Sequence, residues 1–444
     1  MTNATNLDEQ KLQAPRGTRD FALRKKILRD WVVDTLRKSF ATYGFDALET
    51  PAFENAEVLS AKFAGGAEIL KETYWLQDQA GRKLGLRYDL TVPLCRFVAE
   101  NPNLAKPFKR CAIASVWRDG PLKLGRYREF MQADADTVGA SGSLAEAEIL
   151  LLALSAFEAL GLDCVIKVNS RRVIDGMMEA AGVPGGKRVE AIIALDKLAK
   201  VGGGKVAAEM VAKGIPPKAC DSLLKMAGMK SLDSLLALVK SEDGTKGIGE
   251  LKELLSIVSG AGLRNPEKIV FDPSLARGLN YYTGVVYEAF LANGASVGII
   301  SSVAGGGRYD GLIGRFVEAA GGGGEPVPAV GISFGIDVIC DALSADADRI
   351  APANSLAKVF VIPIKAEREG FAIAQQLRAA GVACSMDLLS RSISKNLDYA
   401  SKMGVPFVII IGKQELDAGK VKLRDMESGR EEMLPLNSAI AKLK

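Results

Sequence analysis

Apolar residues recur every three or four positions through residues 24–43 (RKKILRDWVVDTLRKSFATY), and this spacing predicts an amphipathic helix that Gly44 stops. Short runs flanked by turn residues follow at 46–50, 73–77 and 82–87 and read as strands. Residues 144–160 (LAEAEILLLALSAFEAL) are apolar on almost every face, which predicts a long buried helix. From about 170 to 263 the helical spacing is broken only by Gly and Pro, with no strand pattern, so the stretch reads as a helical insertion. β-branched and aromatic runs return at 268–271, 284–291 and 330–334, and GGGGEPVP at 321–328 reads as a flexible loop. Residues 351–354 (APAN) are a linker by composition. Beyond them the pattern alternates: strand KVFVIPI, helix FAIAQQLRAAG, strand VACSMDL, helix KNLDYASKMG, strand PFVIIIG. That alternation predicts a parallel or mixed α/β domain at the C-terminal end.

A chain of 444 residues, 48% hydrophobic and 25% charged, is long enough for two or three well-buried domains of ordinary globular character. It shows no internal repeat. The first residues, MTNATNLDEQKLQ, lack the apolar core of a signal peptide, and runs such as 407–411 are too short to span a bilayer. Cys95, Cys111, Cys164, Cys220, Cys340 and Cys384 are scattered and form no CxxC pair. This argues against a zinc site and a secreted disulfide framework, so a cytoplasmic protein with no membrane partner is expected. The net charge is +4; residues 357–444 hold 14 basic and 10 acidic side chains, and the rest of the chain balances. A mildly basic tail suits a phosphate-rich partner but is also common on bland surfaces. The chain contains no histidine. That excludes Ser-His and Cys-His dyads and the HExxH zinc site. Purging by design and natural selection against histidine both explain the absence.

No P-loop exists, because every Gly-Lys pair lacks the following Ser or Thr. The run Gly305-Gly306-Gly307-Arg308-Tyr309-Asp310 fails the GxGxxG spacing and is expected to open no helix after a βα turn. A nucleotide would therefore be held by side chains. The stretch 116–130 (VWRDGPLKLGRYREF) places Arg118, Arg126 and Arg128 on a predicted hairpin, where guanidinium forks can grip phosphate oxygens and Phe130 can stack on a purine. A solvated hairpin is the bland alternative. Asp89 and Thr91, two apart, are read as sharing one face of a strand suited to an ammonium group. Gln132, Asp134 and Asp136 alternate along an otherwise apolar run, an expensive face to bury without a ligand, though an exposed strand edge reads equally well. The segments 276–284 (ARGLNYYTG) and 304–311 (AGGGRYDG) add an arginine beside tyrosines in Gly-bracketed turns.

Together and in this order, these segments resemble the histidyl-tRNA synthetase family along nearly the whole chain. Residues 15–21 (PRGTRDF) resemble its opening signature, and 43–45 with 48–51 (YGF, LETP) its class II motif 1, which builds a dimer interface. Residues 110–130 resemble motif 2, RGLNYYTG and GGGRYDGL the two histidine motifs, and 357–435 the anticodon-binding domain. The resemblance implies an α+β fold: a class II antiparallel-sheet catalytic domain (1–169 and 264–350), a helical insertion (170–263) and a C-terminal α/β anticodon-binding domain (357–444). It implies ATP with Mg2+ as substrate complex, no protein-ligated metal, and histidine and tRNA(His) as partners of a homodimer. Arg118 and Arg277 would be catalytic, at the α-phosphate and its transition state, with Arg126 near the terminal phosphates and Phe130 against adenine. Asp89, Thr91 and Gln132 would hold the histidine ammonium. Asp136 and Tyr282 would read the imidazole, with Tyr309 close by, since two ring nitrogens call for a carboxylate and a phenol.

Three positions depart from the family pattern. Motif 3 is expected to end in Glu-Arg, its arginine on the γ-phosphate; Asp337 and Val338 stand there. Losing one charge-assisted bond costs about 1.5–3 kcal/mol. Asn280 replaces an expected Asp, and Asp119-Gly120 an acidic pattern. The loss at 338 also fits a different class of protein, a catalytically impaired histidine-sensing paralogue of the regulatory-subunit kind.

Overall fold

The computed structural model describes residues 12–60, 67–122, 125–262, 265–277, 281–319, 321–345 and 355–444, without the side chains of 67–69. Two compact units result, Met1–Arg19 with Val32–Arg349 and Asp20–Trp31 with Ile350–Lys444.

The first unit is organised by β1 (Asp46–Ala47), β2 (Phe53–Asn55), β3 (Trp75–Gln77), β4 (Lys83–Leu86), β5 (Phe108–Trp117), β6 (Glu129–Val138), β7 (Cys164–Ser170), β8 (Ile269–Phe271), β9 (Val285–Leu291), β10 (Ala304–Arg308) and β11 (Ala329–Gly335). Eight of these form one sheet in the order β1-β5-β6-β11-β10-β9-β7-β8, antiparallel except at its two edges, where β1 pairs with β5 and β7 with β8 in parallel. A smaller sheet has the order β2-β4-β3. The early strands are shorter than the sequence pattern predicts.

One face of the large sheet is covered by the apolar sides of two helices. The helix Leu23–Thr42 buries Leu36 and Phe40, and Ser143–Ala159 is buried along most of its length. Phe334 on β11 sits between them, its ring centroid 5.8 Å from Phe40 and 5.3 Å from Phe157. The period of two then fixes what faces the other way. On β6 the fully buried Ala133 and Ala135 alternate with Gln132, Asp134 and Asp136, and the polar set lines a cavity.

Two local expectations are corrected. Asp89 and Thr91 do not share a strand: β4 ends at Leu86, and Thr91 opens the helix Thr91–Glu100. The Asp89 carboxylate accepts the Thr91 and Val92 amides at 3.1 and 2.9 Å, satisfying donors that a helix start leaves unpaired. Pro93, in the first turn, forfeits little because its amide would have no helical partner there. The glycine run at 305–307 is also not a helix-free turn. It is the strand β10, and Asp310 opens the helix Asp310–Ala319 directly after it. Glycine is needed in the strand because a methyl on Gly306 would lie 2.0 Å from the Gly331 carbonyl oxygen.

Between β7 and β8 the described chain is helical, from Arg171–Ala181 to Glu242–Gly260. These two pack so closely that a methyl on Gly176 would lie 2.9 Å from Gly244 Cα. Residues 351–354 and Asn280 lie outside the described residues.

In the second unit, β12 (Val359–Pro363), β13 (Cys384–Met386), β14 (Phe407–Ile411), β15 (Val421–Asp425) and β16 (Glu431–Leu434) form a mixed sheet in the order β13-β12-β14-β15-β16. The first two pairings are parallel and the last two antiparallel. Helices cover both faces: Val359, Val361, Ile409 and Ile411 join one apolar core, and Phe360, Ile362, Val408 and Ile410 the other. Burial on both sides explains why these strands read as unbroken apolar runs. Among the described residues, no helix is long and apolar enough to cross a membrane.

Candidate active site

β5 and β6 form a long antiparallel hairpin, in register from Phe108↔Val138 to Trp117↔Glu129. Its connecting loop carries Arg118, Arg126 and Arg128, and its body places Gln132, Asp134 and Asp136 beside β11. Arg87 pins the approach, its Nη1 donating to the Thr50 carbonyl at 2.7 Å and its Nε to the Ser115 carbonyl at 2.9 Å. Tyr88 and Asp89 thereby face the same cleft as the hairpin.

One cavity is lined by Asp89, Thr91, Arg118, Gln132, Asp134, Asp136, Arg277, Tyr282 and Tyr309, together with the glycines of β10 and Gly331. A second is lined by Phe130, Gly125, Asp337 and Val338. Arg118, Gln132, Arg277, Gly305 and Ser333 line both, so the two cavities share a wall that holds two arginines. Every predicted site residue lines one of them except the hairpin's Arg128, whose Nη2 lies 3.0 Å from Asp119 Oδ1, and Arg126. That residue lies on the hairpin with 45% of its side chain exposed, its Nη2 3.3 Å from Glu72 Oε1.

The first cavity is acidic at its floor. Asp136 is 3% exposed; its Oδ1 accepts the Tyr309 hydroxyl at 2.5 Å and its Oδ2 lies 2.9 Å from Arg110 Nη2. Arg110, only 1% exposed, also donates to the Leu90 carbonyl at 3.0 Å. Burial pushes the Tyr309 phenol well above its usual range, and Asp136 adds to the effect, so it is a hydrogen-bond donor. Asp134 has no such partners. Burial, joined by the charge of neighbouring Asp136, raises its carboxyl to about 7 against the pull of Arg110. Ser333 bridges the polar row: its hydroxyl accepts Gln132 Nε2 at 2.8 Å and bonds Asp134. Gln132 Oε1 and Asp134 Oδ1 are buried acceptors with no hydrogen-bond partner. Buried acceptors without donors are costly, and a ligand rich in N–H groups would complete them.

The shared wall is cationic. Arg118 lies over Tyr88 at 4.1 Å and Phe130 at 5.0 Å, its Nε donating to the Tyr88 carbonyl at 3.2 Å. Tyr88, pushed up to about 12 by burial, donates to Glu72 at 3.0 Å. Burial opposes the charge of Arg277, but Tyr282, Glu288, Tyr281 and Asp196 together hold it above the ordinary arginine value. Its guanidinium lies 5.3 Å from the Tyr282 ring and 3.7 Å from Glu288. An acidic pocket with phenolic donors thus opens onto two arginines, beyond which an aromatic ring borders a second space. The arrangement can hold a cationic amino acid with its carboxylate beside an anionic, ring-bearing partner.

Comparison with known proteins places the chain in a family. A family described as histidyl-tRNA synthetase matches residues 17–339, and an anticodon-binding domain family matches 358–444. A Bacillus cereus protein named histidine–tRNA ligase 1 is 40% identical over 95% of this chain and 97% of its own length.

The chain belongs to the histidyl-tRNA synthetase family.

The histidyl-tRNA synthetase of Nostoc sp. PCC 7120 has the same fold, with a TM-score of 0.82, 31% identity, and 97% and 99% of the two chains covered. A Bacillus halodurans C structure, titled as an ATP phosphoribosyltransferase regulatory subunit/histidyl-tRNA synthetase, is more distant at a TM-score of 0.73. It is 21% identical over 90% of this chain and 98% of its own, a likeness of fold alone. Within this histidyl-tRNA synthetase fold, Val338 sits on the wall of the second cavity, in reach of the hairpin: a methyl on Gly125 would lie 3.1 Å from its Cγ2. Arg110, Tyr88 and Ser333 are site residues that sequence reasoning missed. None of the three stood out in the local spacing; Arg110 meets Asp136 only through the hairpin register. No cluster that could hold a metal ion occurs among the described residues.

Proposed function

We propose that this member of the histidyl-tRNA synthetase family activates histidine with ATP to histidyl-adenylate and transfers it to tRNA(His). The observation that carries the reading is the shared wall, which puts Arg118 and Arg277 between an acidic pocket and an aromatic-lined one. In this assignment Asp89, Thr91 and Gln132 hold the substrate ammonium, and Asp136 with Tyr282 reads the imidazole while Tyr309 fixes the carboxylate. Asp89 acts partly through the helix start it caps. The adenine stacks on Phe130. The histidine carboxylate attacks the α-phosphate between Arg118 and Arg277, whose fixed charges neutralise the pentavalent transition state as pyrophosphate leaves. No protein base is required, because the nucleophile is already a carboxylate. Arg126 exchanges Glu72 for the terminal phosphates when nucleotide is bound. Mg2+ arrives on the triphosphate as part of the substrate.

We assign residues 1–169 and 264–350 to catalysis, 170–263 to an insertion and 357–444 to anticodon binding, in a cytoplasmic homodimer. Val338 favours the alternative, a histidine sensor without catalysis; the anticodon-binding match at 358–444 weighs against it, since a sensor has no use for tRNA. Histidine-dependent ATP–pyrophosphate exchange separates the two. Exchange is expected. Histidine binding with no exchange at saturating ATP would establish the sensor.

A further inference from the structure

Arg19 lines neither cavity, yet it joins three segments around the nucleotide side of the site. The turn before it closes with the Thr18 amide on the Pro15 carbonyl at 2.9 Å. Gly17, at φ +91°, then lies against the hairpin, its carbonyl accepting the Arg128 amide at 2.9 Å. A methyl on Gly17 would lie 2.7 Å from Arg128 Cγ, so only glycine allows this approach. The Arg19 guanidinium stacks 3.3 Å from the centroid of Tyr127 on the same hairpin. Its Nη2 lies 2.5 Å from Asp337 Oδ1 and its Nη1 3.5 Å from Asp341 Oδ1, both on the helix Ile336–Ala345. The Tyr127 hydroxyl donates to Asp341 Oδ2 at 2.7 Å, and the Met131 amide to Asp337 Oδ2 at 2.7 Å.

The charges give this clamp a purpose. Asp337 lines the second cavity, and its neighbour Val338 contributes no positive charge. A triphosphate entering that space meets a carboxylate at the head of the helix. Like charges in a partly dry cleft repel strongly. Arg19 pairs with that carboxylate from behind, and by stacking on Tyr127 it also holds the hairpin that carries Arg118 and Phe130.

We propose that Arg19 is the positioning residue for ATP, neutralising Asp337 and locking the hairpin to the helix where Val338 supplies no guanidinium. This rests on assigning the second cavity to the nucleotide. The test is histidine-dependent exchange by the full chain, titrating ATP and histidine separately. Arg19→Ala is expected to raise the ATP KM about tenfold while the histidine KM stays within about twofold, the split expected when one substrate's contacts alone are disturbed. Arg19→Lys keeps the charge but not the planar stack and falls between. Adding Val338→Arg to Arg19→Ala is expected to recover most of the loss, by placing a cation beside Asp337 from the other side. Tyr127→Phe removes a single hydroxyl and is expected to raise the ATP KM about threefold.

An unchanged ATP KM in Arg19→Ala overturns the proposal, as does an equal rise in both KM values that Val338→Arg does not relieve. Should Arg19→Ala not fold, Arg19→Lys and Tyr127→Phe decide, and wild-type ATP KM values in both overturn it. Wild-type protein with no exchange would instead remove the function on which this inference stands. Normal exchange that ignores Arg19 would remove the inference alone.

Discussion

Asp134 and Asp136 share one buried cation, Arg110, and the sharing is unequal. Asp136 has the ion pair and the Tyr309 hydroxyl, whereas Asp134 keeps one oxygen without a partner. Burial therefore dominates at Asp134 and raises it from 3.8 to about 7. Between those values the native protein binds a proton that the unfolded chain has released. Stability from this group is thus fully present below 3.8, falls as pH rises through about 7, and is flat above. Asp134→Asn carries no such proton. Its melting temperature is expected to climb relative to wild type as pH goes from about 5 to about 8, where the wild-type protein holds a buried charge. Melts of both proteins at several pH values check this, and a constant offset between them sinks it. The alternation of Gln132, Asp134 and Asp136 was legible because a period of two is a local property of the chain. Arg110 was not, since what it touches depends on a hairpin register set by residues 26 positions apart, Arg110↔Asp136.

Elements differ from residues in how they mislead. Asp89-Leu-Thr91 follows β4 closely enough to look like its continuation, but the carboxylate satisfies two amides and turns the chain into a helix. Glycines at 305–307 read as a turn because sequence shows no neighbours; the reason for them is crowding across β9, β10 and β11. The same crowding yields a prediction at Gly331, which faces Asp136 in the β6–β11 register. A methyl there would lie 1.9 Å from Asp136 Oδ1, so Gly331→Ala must push the carboxylate away from Arg110 or Tyr309. The histidine KM in pyrophosphate exchange is expected to rise at least about tenfold, with the ATP KM nearly constant, because a shift near 1 Å in a binding group is costly. This is the reverse of the Arg19 pattern. An alanine variant with wild-type histidine KM would show that Asp136 does not contact the substrate.

At the scale of the whole molecule, the strand–helix alternation of the C-terminal part was plain because its central strands, β12 and β14, are apolar throughout and contribute to a core on each face of the sheet. The large sheet was harder to read, since its neighbours in space, β6 and β11, are separated by nearly two hundred residues. Two kinds of partner follow from this division of labour, and salt distinguishes them. In the proposed assignment histidine is gripped by nearly fully buried groups that bulk ions screen weakly. A tRNA is a polyanion whose binding releases counterions, so its affinity falls steeply with salt, with a log–log slope near −0.7 to −0.9 per phosphate contact. The basic excess in 357–444 is only 14 against 10, so few contacts are expected there, but even three would act together. Aminoacylation should therefore show a tRNA KM that rises about tenfold or more between roughly 50 and 200 mM salt. Over the same range the histidine KM in exchange should move less than about twofold. Measuring both on one preparation removes any general salt effect on folding. If the two constants rose in parallel, the buried acidic pocket could not be where histidine binds, because groups as buried as Asp134, Asp136 and Arg110 are screened far less than an exposed surface.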